Sequence, residues 1–345
     1  MLQSHSRLAS PAGPSRKTPG RRAIHAALLA LCIALGTPAA LAGPLRDRLI
    51  ERRAAQQSDG FAAEAGNSVG LKNVRIVRDV AYGQDERQRF DVYLPQTAVS
   101  GAPVILMVHG GAWALGDKAS AAVFENKVAH WVSRGFILIS TNYRLLPAAT
   151  PLQQAADVAG ALAVAQEKAA QWGGERTKFV LIGHSAGAHL VALLAASPSL
   201  ARQAGAAPWL GTIALDSAAY DLPQIMAARH YRFYDQAFGS DPAYWRAASP
   251  IHALQGEARL NTMAPFLAVC SSRRPDRPCA QAQAFVARAR QLGTPATLLE
   301  QALSHADINR QLGSQADYTT AVEAFMRTLD ATLAERLDPD RRPTR

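Results

Sequence analysis

Val180-Leu181-Ile182-Gly183-His184-Ser185-Ala186-Gly187-Ala188-His189-Leu190 reads as a short apolar strand, a Gly-x-Ser-x-Gly turn and the opening of a helix. A serine at the tip of such a strand-to-helix corner sits in strained backbone geometry. Gly183 and Gly187 leave room where side chains would collide. The serine also lies over the N-terminus of the following helix, where backbone N–H groups and the positive end of the dipole favour an oxyanion. Ser185 is therefore the candidate nucleophile, and the amide of Ala186 a candidate oxyanion donor.

About seventy residues upstream, Val104-Ile105-Leu106-Met107-Val108 is a buried-type apolar run that opens into His109-Gly110-Gly111-Ala112-Trp113. Amides in a glycine loop at a strand end can point at a ligand, so Gly110, Gly111 and Ala112 complete the candidate oxyanion hole. With these two motifs in this order, the chain resembles the α/β-hydrolase superfamily. Within it, the chain is similar to the His-Gly-Gly-x-Trp carboxylesterases, the group that includes hormone-sensitive-lipase-like, feruloyl-esterase-like (BD-FAE type) and arylformamidase-like enzymes. Thr141-Asn142-Tyr143-Arg144-Leu145-Leu146-Pro147, Pro151 and Asp157-Val158 match the family's segment between oxyanion loop and nucleophile, and the resemblance covers about Asn73 to Leu329. Ala112 departs from the pattern, standing where many members have a third glycine. The resemblance implies a mainly parallel eight-stranded sheet flanked by helices, with a small cap, and ester hydrolysis without a cofactor.

A serine hydroxyl is a weak nucleophile unless a histidine takes its proton, and in this fold the chain order is Ser, acid, His. His305 is the candidate base. It follows Ala296 to Leu303, which reads as the last strand, and precedes a loop leading to the final helix. His230, in an aromatic and basic stretch, is a candidate pocket residue; His252, His109, His184 and His189 read as structural supports. The acid is expected after the strand Pro265 to Cys270, where Asp276 is the only carboxylate. Arg274 occupies the direct register, so Asp276 requires a small insertion. Asp216, after the strand Gly211 to Leu215, is the main competitor, with Asp221 and Asp307 behind it.

Three cysteines occur, at 32, 270 and 279. Cys270 and Cys279 bracket the acid loop at a spacing that can close as a disulfide, contributing about 2 to 3 kcal/mol by loop entropy. Arg16, Lys17, Arg21 and Arg22, the apolar stretch Ala23 to Leu35 and a small-x-small site ending at Ala42 read as an export signal over residues 1–42. Export to the periplasm or beyond would permit the disulfide. The leader carries five basic and no acidic residues, so the formal net charge of +10 leaves 32 minus 27, or +5, on the rest. That excess is scattered, which argues against a nucleic-acid partner. No metal spacing or phosphate loop is visible.

Residues 43–70 read as a lead-in, 71–335 as the hydrolase domain, 217–263 as an aromatic-rich cap inserted within it, and 336–345 as a tail. Strands are expected at Val74–Ala81, Arg89–Leu94, Val104–Val108, Phe136–Thr141, Lys178–Ile182, Gly211–Leu215, Pro265–Cys270 and Ala296–Leu303, alternating with helices from the third onward. The expected reaction is hydrolysis of a small or medium carboxylic ester through an acyl-enzyme on Ser185, with His305 as base and Asp276 as acid. The alternatives are amide hydrolysis of the arylformamidase type and an exported binding module without catalysis.

Overall fold

A computed structural model of the chain describes residue 71, residues 73–257, 263–338 and 340. The leader at 1–42, the lead-in at 43–70 and the tail beyond residue 340 lie outside the described residues.

Eight strands form one sheet: β1 (Val74–Ala81), β2 (Arg89–Pro95), β3 (Ala102–Val108), β4 (Ile137–Thr141), β5 (Gly174–His184), β6 (Gly211–Leu215), β7 (Phe266–Ser271) and β8 (Ala296–Gln301), in the order β1-β2-β4-β3-β5-β6-β7-β8. β1 pairs antiparallel with β2 and β2 with β4; every other neighbour is parallel. The parallel strands read as continuous apolar runs because helices cover both faces. Along β3, Val104, Leu106 and Val108 join one core, which includes the helices Pro151–Lys168, Ala186–Ala196 and Pro278–Gln291. Ile105 and Met107 join the other, beneath the helices Ala121–Trp131 and Ala316–Arg327. The period-2 alternation of Cβ direction thus divides one run of apolar residues between two cores.

β5 is longer than its apolar core suggests. It starts at Gly174 because Ala102 pairs with Gly174, which carries the polar stretch from Glu175 to Lys178 into the strand. β8 ends at Gln301, and the Leu303 carbonyl beyond it accepts a hydrogen bond from the Ser271 hydroxyl, tying that loop to the end of β7.

Between β6 and β7 the chain leaves the sheet for short helices at Leu222–Met226, Arg232–Phe238, Pro242–Ala247 and Pro250–Glu257, the expected cap. Asp221 and Asp241 cap two of them by accepting from backbone amides of the first turn, and each is followed by proline at a first-turn position. Tyr234 and Phe238 bury themselves against Trp113, so the cap closes over the loop that follows β3. Among the described residues no helix is long and apolar enough to cross a membrane.

Candidate active site

β5 runs straight into the corner at Ser185, whose φ of 55° and ψ of −118° lie outside the ordinary regions for a non-glycine residue. Such a backbone costs on the order of 1–3 kcal/mol and persists because its surroundings fix it. The Ser185 amide donates to the Leu215 carbonyl at 2.9 Å. A Cβ on Gly183 would fall 2.3 Å from the Gly187 carbonyl oxygen, and one on Gly187 would fall 2.4 Å from the carbonyl oxygens of Val108 and His109. The two glycines of the motif are therefore demanded by close backbone approach, to each other's turn and to the end of β3.

The loop after β3 is equally confined. Gly111, Ala112 and Trp113 all have positive φ, at 120°, 49° and 61°. Trp113 anchors this loop. Its carbonyl accepts from the Leu146 amide and the Gln154 side chain, and its indole N–H donates to His189 Nδ1 at 3.2 Å. His189 Nε2 donates in turn to the Ala248 carbonyl at 2.8 Å, and burial lowers its pKa to about 4, so the ring is a neutral strut. Tyr143 stacks on His109 and donates to its carbonyl, while Arg144 clamps Asp157 with three hydrogen bonds, one of them from its backbone amide. Among the described residues the amides of Gly111 and Ala112 donate to no protein acceptor.

Ser185, Ala186, Gly111, Ala112, Asp216 and His305 line one cavity of about 570 Å³. Gly110 lies beneath it, close enough that a Cβ there would sit 2.9 Å from the Ser185 Cβ. His305 begins a short helix behind the Ser304 cap. Its Nδ1 lies 2.5 Å from Asp216 Oδ2, and its Nε2 has no hydrogen-bond partner among the described residues. No hydrogen bond joins the Ser185 hydroxyl to His305; such bonds often tighten only once substrate is bound.

The carboxylate at His305 is Asp216 and not Asp276. Asp216 follows β6, which lies beside the β5 that delivers Ser185, and it is wholly buried with a φ of 58°. Its Oδ1 accepts from the Ser271 amide at 2.8 Å. Asp276 is held away from the histidine by Arg274, whose Nε and Nη2 take its two oxygens at 3.0 and 2.5 Å. The Arg274 Nη1 reaches back to Asp216 Oδ2 at 2.9 Å and lies 3.1 Å from His305 Nδ1. Burial opposes ionisation of Asp216, but the Arg274 guanidinium and the bonds from His305 and Ser271 outweigh it. The carboxyl stays well below the usual carboxylate range. The residue in the direct register after β7 is thus a cation, and it serves a carboxylate on the neighbouring strand.

Other expectations also resolve. His230 is not in the cavity wall; it bonds the Ala228 carbonyl and Asp235. His252 pairs with Asp221, which is spent on the cap, and the Asp307 carboxylate accepts from the hydroxyl of Ser304, the residue that caps its helix. His184 packs on His305 with ring centroids 4.6 Å apart and bonds its carbonyl through Nε2; burial, reinforced by the His305 charge, pushes its pKa well down. Cys270 and Cys279 are joined, bracketing the loop that carries Arg274 and Asp276. Among the described residues no three His, Cys, Asp or Glu side chains are grouped to hold a metal.

The overall fold is similar to those of solved esterases. The chain superposes on esterase B from Lactobacillus rhamnosis with a TM-score of 0.64, covering 85% of this chain and 95% of that one at 19% identity. The chain has the α/β-hydrolase fold. Within this α/β-hydrolase, residues 90–210, from β2 past the serine corner, match the BD-FAE family model. Esterase LipQ of Mycobacterium tuberculosis is 32% identical over 260 residues, covering 68% of this chain and 60% of LipQ. A rice protein (Oryza sativa subsp. japonica) named probable isoprenylcysteine alpha-carbonyl methylesterase ICME is 34% identical over 118 residues, covering 34% of this chain and 28% of its own length. The matched region spans less than two thirds of either relative.

Proposed function

We propose that this α/β-hydrolase is an exported serine carboxylesterase acting on small or medium esters. The observation that carries the reading is the Asp216–His305 contact on the wall of the cavity that also holds Ser185. In this reading Ser185 Oγ attacks the ester carbonyl while His305 Nε2 takes its proton. Asp216 keeps the Nδ1–H oriented and balances the imidazolium charge. Amides of Gly111, Ala112 and Ala186 hold the tetrahedral oxygen. Collapse expels the alcohol with the proton from His305; water then attacks the acyl-enzyme by the same route and releases the acid. Arg274 keeps Asp216 ionised throughout. The name of LipQ supports an esterase, and the leader pattern with the Cys270–Cys279 bond supports export.

The test is hydrolysis of p-nitrophenyl esters of rising acyl length. Wild-type protein should turn over the short esters, and Ser185→Ala and His305→Ala should each lose a factor of about 10⁴ or more in kcat. Equal rates in wild type and both variants would overturn the proposal.

A further inference from the structure

The charged groups on the cavity wall are Asp216, Asp276, Arg232, Arg273, Arg274 and His305. Three arginines against two aspartates leave the wall at +1 with His305 neutral. That excess is not evenly placed. Arg274 is bonded to both aspartates, and this cluster of one cation and two anions carries −1, which the His305 imidazolium balances during reaction. Arg232 and Arg273 stand outside the cluster, and neither guanidinium has a carboxylate or other hydrogen-bond partner among the described residues.

Both are exposed although they line the cavity, so they lie at its open side, Arg232 at the start of the cap helix Arg232–Phe238 and Arg273 in the loop after β7. The acidic side chain on that cap helix, Asp235, is turned to His230 and is absent from the wall. The same wall includes Trp113, Leu115, Phe233 and Tyr234, apolar surface that strengthens a nearby charge contact by excluding water.

Resting on the esterase reading, we propose that the preferred substrates are esters carrying a carboxylate or similar anionic group, which Arg232 and Arg273 bind at the cavity mouth while the ester carbonyl sits at Ser185. The planar guanidinium donors match a carboxylate in pairs, and two cations facing one opening raise the local concentration of anions.

Matched esters test this, with the anion placed on the acyl side in 4-nitrophenyl hydrogen adipate against 4-nitrophenyl hexanoate, and on the alcohol side in 4-butyryloxybenzoate against 4-butyryloxybenzamide. For one of the pairs, kcat/KM should favour the anionic member by about fivefold or more. Whichever pair shows the preference identifies the side of the ester that carries the anion. Arg232→Gln and Arg273→Gln should each lower that anionic-to-neutral ratio by about threefold, and the double variant should bring it to unity. Salt at about 0.5 M should erode the ratio in the wild type and leave that of the double variant unchanged. Turnover of the neutral esters with no anionic preference in either pair, or a preference that survives the double variant, overturns this proposal and leaves the esterase reading standing. Turnover of no ester at all overturns both.

Discussion

The single oxygen Asp216 Oδ2 meets both His305 Nδ1 and Arg274 Nη1, and this bifurcated contact separates two aspartates that look alike in sequence. Asp216→Asn keeps the shape but allows the wrong histidine tautomer, so kcat should fall by about 10⁴. Asp276→Asn leaves Asp216 in place and should lower kcat by less than about tenfold. Steady-state kinetics on one short ester compares the two, and the reverse order would restore Asp276 as the acid. Arg274→Met removes the cation from a buried carboxylate and should cost about 3 kcal/mol of stability, read by urea denaturation. Ala112, at a φ of 49°, shows that the loop tolerates a methyl group in left-handed backbone, with Trp113 fixing the chain beside it.

At the scale of elements, the loop between β7 and the helix Pro278–Gln291 has to aim Arg274 across to the end of β6. The bond between Cys270, at the end of β7, and Cys279, in the first turn of that helix, closes the loop at both ends. Cys279→Ser should lower stability by about 2 to 3 kcal/mol in calorimetry. It should also lower esterase activity, because a looser loop releases Arg274 from Asp216; full activity with reduced stability would show that the loop holds its shape unaided. The corner elements are less forgiving. Their glycines face carbonyl oxygens at distances that no side chain meets, so Gly187→Ala should abolish soluble expression or activity.

Over the whole molecule, three buried histidines surround the serine corner, and burial holds all of them neutral: His109 and His189 at about 4 and His184 well below its usual value. A histidine whose folded pKa is depressed contributes stability above its unfolded value of about 6.5 and loses it as pH falls, because the unfolded chain takes the proton more readily. Each adds a slope of about 1.4 kcal/mol per pH unit between about 6 and 4. Thermal unfolding should therefore drop steeply from pH 7 to pH 4.5, and His189→Gln, which can keep a donor towards Ala248, should flatten the drop. An unchanged profile would show that proton uptake on unfolding lies elsewhere. The sequence alone determined the strand–corner–helix around Ser185, the glycine loop and the alternation of strands with helices, because these are written in local periodicity and in backbone demands that only glycine meets. It also pointed to His305 through its place after the last strand. Which carboxylate meets His305 was decided only by the tertiary structure. Asp216 and Asp276 each lie in the segment that follows a strand, and the local sequence does not say which of the two reaches His305. What separates them is that β6 lies beside β5 while Arg274 ties Asp276 back, and strand adjacency and a charge reaching across strands exist only once the sheet has formed.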